Sequence, residues 1–323
     1  MKPRKVVITD HSFPGTAAER ELVEAAGGIL EIARCRSEDE VIAACQGADA
    51  LLVQWAPITE RVLRALPGCR AVIRYGIGVD NVDLAAARRL GVAVANVPDY
   101  CVDEVADHTV ALAVSLGRQL PATERRLRAG NWRITPPSPM PAFRDMNFVV
   151  VGLGRIGRAV LGRAGAFGFR LAAHDPAVAA GAFSDAGARS LSLAEAFAEA
   201  DILSLHVPLV AGTRHLVSME RLRSMRRTAL LINTSRGGLV DTLALAAALA
   251  EGLIAGAGLD VFEEEPVAAD HPLLRCPGAL LTSHTAWFSE TSVVRLQRLA
   301  AEEAVRAIRG EPLKNQVNRQ AGA

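Results

Sequence analysis

Val149-Val150-Val151 runs directly into Gly152-Leu153-Gly154-Arg155-Ile156-Gly157, and the helical stretch R-A-V-L-G-R-A-G-A-F follows without a break. A β-branched strand, a G-x-G-x-x-G turn and a helix in that order form a dinucleotide-binding fingerprint in which each glycine has its own task. Gly152 makes the tight turn, Gly154 lets the backbone approach a pyrophosphate, and Gly157 lets the helix lie close to the strand. The helix N-terminus then offers its unpaired N–H groups to the phosphates. Asp175 closes the next strand, L-A-A-H-D-P, 18 residues past Gly157. A carboxylate there accepts hydrogen bonds from a ribose hydroxyl and repels a 2′-phosphate, and no arginine follows at once to cradle one. The expected cofactor is therefore NAD rather than NADP. The competing reading of Asp175-Pro176 is a simple turn.

Outward from this unit the same alternation continues. F-V-V-V-G (148–152) is followed by A-D-I-L-S-L-H-V-P, A-L-L-I-N-T-S and A-G-A-G-L-D-V, each separated from the next by a helical stretch. Before it, K-V-V-I-T-D (5–10), G-I-L-E-I-A, A-L-L-V-Q, a strand at Ala71 to Arg74 and another at Val92 to Ala95 alternate with Ala-rich helical segments. Ser37 followed by Glu40 reads as a capping box, and Thr59 as the N-cap of the next helix. Near-continuous apolar strands separated by helices imply parallel sheets covered on both faces, so the fold class is α/β with two doubly wound parallel-sheet domains. Between the two series lie a long helix from about Val102 to Leu116 and a Pro-rich, irregular stretch from Trp132 to Pro141. A last helix, about Ser289 to Ile308, stops at Gly310 with Pro312 beyond.

The composition limits what such a chain can do. Its 323 residues suffice for about two domains, and 36 basic against 35 acidic residues give a net charge of +1. Neither nucleic acid nor an anionic membrane is an expected partner, because gripping either needs a basic excess. No stretch approaches the roughly 18 apolar residues of a membrane helix, and the opening M-K-P-R-K-V-V-I-T-D does not read as a signal peptide. Five scattered cysteines without C-x-x-C fit a reducing, cytoplasmic setting and no structural metal.

Three further segments end strands of the second series on the side where doubly wound sheets bind ligands: L-I-N-T-S-R-G-G, G-L-D-V-F-E-E-E-P and L-L-T-S-H-T-A-W. They bring Arg236, Glu265 and His284 to one crevice. Hydride transfer between nicotinamide and a 2-keto acid needs a fork of donors to hold the carboxylate and polarise the carbonyl, and an acid to protonate the developing alkoxide. Arg236 suits the first role and His284 the second, while Glu265 beside the imidazole would orient it and favour its protonated form. Taken singly, each residue also reads as a surface arginine, a solvated glutamate or a strand-end histidine.

R-Y-G-I-G-V-D-N-V-D (74–83), the glycine fingerprint, L-H-V-P-L (205–209), N-T-S-R-G-G-L-V-D (233–241), L-D-V-F-E-E-E-P (259–266) and S-H-T-A-W (283–287) together resemble the D-isomer-specific 2-hydroxyacid dehydrogenases. The resemblance covers nearly the whole chain. S-R-G-G-L-V-D, H-T-A-W-F-S-E and L-K-N-Q-V-N are most similar to the branch that contains the C-terminal-binding proteins. It implies a Rossmann nucleotide-binding domain, residues 98–289, inserted into a flavodoxin-like substrate domain formed by residues 1–97 and 290–323. It also implies an Arg236, Glu265, His284 triad and a Gly76-Ile77-Gly78 loop whose backbone N–H groups hold the substrate carboxylate. The implied cofactor set is Gly152, Gly154, Arg155, Ile156, Gly157, Asp175, His206, Pro208, Thr234 and Asp260, with Asp260 on the nicotinamide carboxamide. Trp287 would line the substrate pocket, with Trp55 a weaker candidate.

Asp145 and Asn147 depart from the family's usual lead-in to the fingerprint. Formate oxidation is disfavoured, since formate dehydrogenases carry glutamine where Glu265 stands. The implied function is NAD-dependent oxidation and reduction of a small D-2-hydroxy or 2-keto acid by a homodimer joined through its nucleotide domains. The alternative is an NAD(H)-sensing scaffold, like the C-terminal-binding proteins, that binds a partner peptide. An intact triad argues for the enzyme.

Overall fold

The computed structural model describes residues 3–319. The chain divides into two compact units, Met1–Cys101 with Phe288–Ala323, and Val102–Trp287. In the first, strands β1 (Arg4–Ile8), β2 (Gly28–Ile32), β3 (Ala50–Val53), β4 (Ala71–Arg74) and β5 (Ala93–Ala95) pair in parallel in the order β2-β1-β3-β4-β5. That is the flavodoxin-like order of a doubly wound sheet. The helix Glu290–Arg309 returns to this unit and packs on the helix Ala17–Ala25 and on β3 and β4. Ser289 caps it and Gly310 ends it in the left-handed conformation (φ 74°).

The second unit holds β6 (Asn147–Val151), β7 (Arg170–His174), β8 (Arg189–Ser190), β9 (Ile202–Leu205), β10 (Leu230–Asn233), β11 (Gly256–Leu259) and β12 (Ala279–Leu281). All pair in parallel, in the order β12-β11-β10-β9-β6-β7-β8. From β6 the chain first builds outward through β7 and β8, then returns to lay β9 on the other side of β6. The direction of winding therefore reverses at the β6/β9 boundary, the point where open α/β sheets leave a crevice for ligands.

Strand composition follows from two-sided burial. Every residue of β9, β10 and β11 is buried. Alternate side chains feed opposite cores: Leu203, Leu205, Leu231 and Val149 enter one, while Ile202, Ile232, Phe148 and Val150 enter the other. Helix starts follow local chemistry too. Ser37 and Glu40 form the expected reciprocal capping box. Thr59 does precede the helix Glu60–Ala65, but its side chain makes no capping bond, and its hydroxyl is enclosed without a partner. The unusual lead-in to β6 is a single 3-10 turn, Phe143–Asp145, after which Asn147 is tied to the chain near β9 by bonds with Glu199 and Asp201.

Candidate active site

The register of the second sheet aligns the residues that matter. Val151 lies opposite both His174 and Leu205, Asn233 opposite both Leu205 and Leu259, and Leu259 opposite Leu281. The residues that follow these strand ends are Gly152, Asp175, His206, Thr234, Asp260 and Thr282, so they form one row along a single edge of the sheet.

At its centre the glycine turn is enforced by crowding. Gly152 has φ 102°, and a Cβ there would lie 2.4 Å from the His206 carbonyl oxygen; one on Gly157 would lie 2.1 Å from the Gly152 oxygen. Neither position admits any other residue without moving backbone. Gly154 faces open space and caps the 12-residue helix Arg155–Ala166, whose first N–H groups lack intrahelical partners. Arg155 is exposed and Ile156 half-buried on the first turn. Asp175 accepts from the Leu153 N–H (2.7 Å) and the Ala177 N–H (2.8 Å), so it braces the glycine turn while holding its charge at the strand end.

His206 has Nε2 2.8 Å from Ser204 Oγ, and its Nδ1 is enclosed without a hydrogen-bond partner. Burial pushes its pKa down to about 3, so the ring is neutral at physiological pH. Pro208 is exposed two residues on. Thr234 is buried, with Oγ1 2.7 Å from Thr109 Oγ1. An open glycine cradle, a helix N-terminus, a carboxylate at the next strand end and an enclosed unpartnered imidazole nitrogen fit a dinucleotide lying across the switch point.

The loop after β10 is shaped by Asn233, whose Oδ1 accepts from the Ser235 N–H and whose Nδ2 donates to the Arg236 carbonyl. Ser235 Oγ ties the loop to the end of β9 through Leu205 O (2.6 Å). Gly237 then packs so tightly on the Phe262–Glu263 backbone that a Cβ would overlap it. This contact brings Arg236 beside the segment that carries Glu265. Glu265 Oε1 accepts from the Phe262 N–H, and Oε2 lies 2.6 Å from His284 Nδ1. Burial pushes the Glu265 carboxyl up, but attraction to His284, the Phe262 N–H and the Arg236 guanidinium outweigh it and hold the group below the usual carboxylate range. His284 stands in the left-handed region (φ 55°), and half-buried Trp287 ends the same segment.

Asp260 is buried and occupied by protein donors: the Thr282 hydroxyl (2.6 Å), the Thr285 N–H and the Ala286 N–H (both 2.9 Å). These partners were not apparent from the sequence, and neither was His108, whose Nε2 is 3.0 Å from Thr282 Oγ1. A second histidine–carboxylate pair likewise leaves no signal in the sequence. His215 Nε2 lies 2.6 Å from Glu263 Oε1, while Glu263 Oε2 accepts from the Thr242 N–H and hydroxyl. The pair sits behind the arginine loop, since the His215 N–H donates to Gly238 O. Gly76, Ile77 and Gly78 belong to the other unit, just after β4. There Val97 N–H and Asn96 Nδ2 tie back the carbonyls of Gly76 and Ile77, and the Arg74 guanidinium lies 5.4 Å from the Trp55 ring centroid. Among the described residues no group of His, Cys, Asp and Glu could hold a metal ion, and no helix is long and apolar enough to cross a membrane.

Residues 110–286 match the sequence profile of the D-isomer specific 2-hydroxyacid dehydrogenase NAD binding domain. The chain is 38% identical over 288 residues to a glyoxylate reductase of Korarchaeum cryptofilum, covering 88% of this chain and 87% of that one. A D-3-phosphoglycerate dehydrogenase of Methanocaldococcus jannaschii is 33% identical over 316 residues, which are 97% of this chain and 59% of the relative. Among solved structures, the D-lactate dehydrogenase of Aquifex aeolicus complexed with NAD and lactic acid superposes with a TM-score of 0.88 at 26% identity, covering 98% of this chain and all of that one. Fold, glycine site and relatives define an NAD-dependent oxidoreductase acting on hydroxy and keto acids. The chain belongs to the D-isomer specific 2-hydroxyacid dehydrogenase family. These matches establish the family without singling out its C-terminal-binding branch.

Proposed function

We propose that the protein interconverts a small D-2-hydroxy acid and its 2-keto acid, with Arg236, Glu265 and His284 as the reacting set. The observation that carries this reading is the 2.6 Å His284–Glu265 pair, which shares its electrostatic environment with Arg236 on the edge that bears the glycine turn. NAD, when bound, supplies or accepts the hydride. Gly152, Gly154, Gly157 and the first turn at Arg155 and Ile156 would hold its pyrophosphate, Asp175 its adenine ribose, and His206, Pro208, Thr234 and Asp260 the remainder along the row.

Arg236 anchors the substrate carboxylate and polarises the adjacent carbonyl through its planar fork of donors. Glu265 accepts at His284 Nδ1, which fixes the ring, so that Nε2 gives its proton to the alkoxide oxygen in reduction and takes it back in oxidation. Residues 1–97 with 290–323 act as the substrate domain, its Gly76-Ile77-Gly78 loop offering the Ile77 and Gly78 N–H groups to the carboxylate while the Gly76 N–H bonds the Arg74 carbonyl. Residues 98–289 act as the nucleotide domain, with Trp287 bounding the pocket. The arm after the long helix exposes Trp132 at 78% and Ile134 at 92% of their surface, beside exposed Leu120 and Leu127. So much apolar surface fits a twofold contact between nucleotide domains. Five free cysteines fit a cytoplasmic enzyme.

A panel of small 2-keto acids with NADH, followed by absorbance, tests the proposal. At least one should be reduced, and His284→Ala should lower that turnover about a hundredfold or more while NADH still binds. Absence of NADH oxidation across the panel would refute the activity, and undiminished turnover in the variant would refute the role of His284.

A further inference from the structure

We infer that His108 and Thr282 are positioning residues, which act through Asp260 to hold the segment carrying His284 in its reactive conformation. The inference rests on the acid–base reading of His284 given above.

Three consecutive main-chain N–H groups converge on one buried aspartate. The His284 N–H donates to the Asp260 carbonyl (2.7 Å), the Thr285 N–H to Oδ1 and the Ala286 N–H to Oδ2. His284 needs such fixing. It stands at φ 55° without being glycine, a conformation that persists only where the surroundings over-determine it. The direction of the remaining bonds follows from proton counting. A carboxylate only accepts, so the single hydroxyl proton of Thr282 goes to Asp260 Oδ1, 2.6 Å away. Thr282 Oγ1 must then accept at its 3.0 Å contact with His108, so His108 carries a proton on Nε2 and donates it. The relay runs His108 to Thr282 to Asp260, and Asp260 in turn receives the three N–H groups at 284–286. His108 Nε2 is also 3.7 Å from Asp260 Oδ1, so any positive charge on the ring would reinforce the same anchor.

The helix that supplies His108, Val102–Gly117, is seated on β11, where a Cβ on Gly258 would come within 3.1 Å of Leu112 Cβ. The next residue on that helix, Thr109, bonds Thr234 at the end of β10. One helix therefore reaches the ends of β10 and β12, the strands on either side of β11, through two adjacent side chains. An element outside the reacting set thus controls where the His284 backbone sits.

Two pairs of variants test this. His108→Leu keeps bulk and removes the donor, whereas His108→Gln places an amide N–H where Nε2 stood; Thr282→Val and Thr282→Ser make the same contrast at the hydroxyl. In the protein without ligands, amide hydrogen exchange at Thr285 and Ala286 should accelerate about tenfold or more in the Leu and Val variants and return close to wild type in the Gln and Ser variants. In turnover, kcat should fall about tenfold in the first members and recover in the second, the change in kcat exceeding any change in KM for NADH, because a misplaced acid affects the chemical step more than binding. Indistinguishable behaviour of Leu and Gln, and of Val and Ser, would overturn the inference, whether all four stay active or all four fail. His284→Ala in the same series separates the two readings. If it leaves turnover intact, the acid–base role falls, and the exchange rates alone decide whether His108 holds the segment.

Discussion

Replacing His206 with glutamine should remove a pH dependence of stability whose size follows from the geometry at the end of β9. The folded state keeps this imidazole neutral: Nε2 is bonded to Ser204 Oγ, Nδ1 is enclosed, and burial lowers the pKa from 6.5 to about 3. In the unfolded chain the ring titrates near its ordinary value. Between those two values the unfolded state binds a proton that the folded state refuses. The contribution to stability is therefore complete above pH 6.5 and is lost progressively as pH falls toward 3. One proton corresponds to about 1.4 kcal/mol per pH unit, so lowering the pH from 7.5 to 5.0 should cost about 2 kcal/mol through this residue alone.

Glutamine keeps an amide that can bond Ser204 Oγ and does not titrate, so His206→Gln leaves every other ionisable group in place as its own control. Urea unfolding at pH 7.5 and 5.0, on wild type and variant, measures the difference. The wild type should lose about 2 kcal/mol more than the variant on acidification. Equal losses would show that the His206 ring meets solvent protons freely and would refute the burial argument.

Asp175→Asn keeps an oxygen for the Leu153 N–H but removes the charge, so the NADPH to NADH affinity ratio should rise about fivefold or more, the effect of one unit charge about 4 Å from another in water; an unchanged ratio in binding titrations would refute the charge argument. Arg236→Ala should raise KM for the keto acid as well as lower kcat, because carboxylate anchoring operates in the ground state too. Steady-state kinetics with an untouched KM would contradict that role. Light scattering at micromolar concentration should give twice the chain mass, and a monomer mass would exclude a stable dimer through the Trp132 to Pro141 arm.

The glycine fingerprint was legible because backbone crowding at Gly152 and Gly157 excludes side chains, which leaves its mark in the sequence itself. Only part of the row of strand-end residues was legible in this way. Buried parallel strands read as short apolar runs, which places Gly152 and Asp175 at strand ends, whereas His206, Thr234 and Asp260 were implied by the family resemblance and Thr282 by neither. Features that depend on partners distant in sequence left no comparable trace. Thr59 occupies its predicted position, yet nothing local reveals that its hydroxyl goes unbonded. The His215–Glu263 pair joins residues 48 apart, which meet only because Gly237 lets the arginine loop press against Phe262. Strand β8, two residues long at the sheet edge, is too short for any periodicity.

Asp260 shows how family resemblance and geometry combine at a single residue. The resemblance assigns it to the nicotinamide carboxamide, while the structure engages it with Thr282, Thr285 and Ala286. The assignments are compatible because an ionised carboxylate offers about four acceptor positions, and these donors occupy fewer. Oδ1 takes two of them and Oδ2 takes one, so Oδ2 has the capacity for a further donor such as a carboxamide N–H. An aspartate serving both purposes would couple cofactor position to the position of His284, since the oxygen that receives the Ala286 N–H would also receive the cofactor. Asparagine would keep the packing but has only one acceptor oxygen, so it would have to give up at least one of these donors. The loss would reach His284, the proposed acid–base group, as directly as it would reach a cofactor held there.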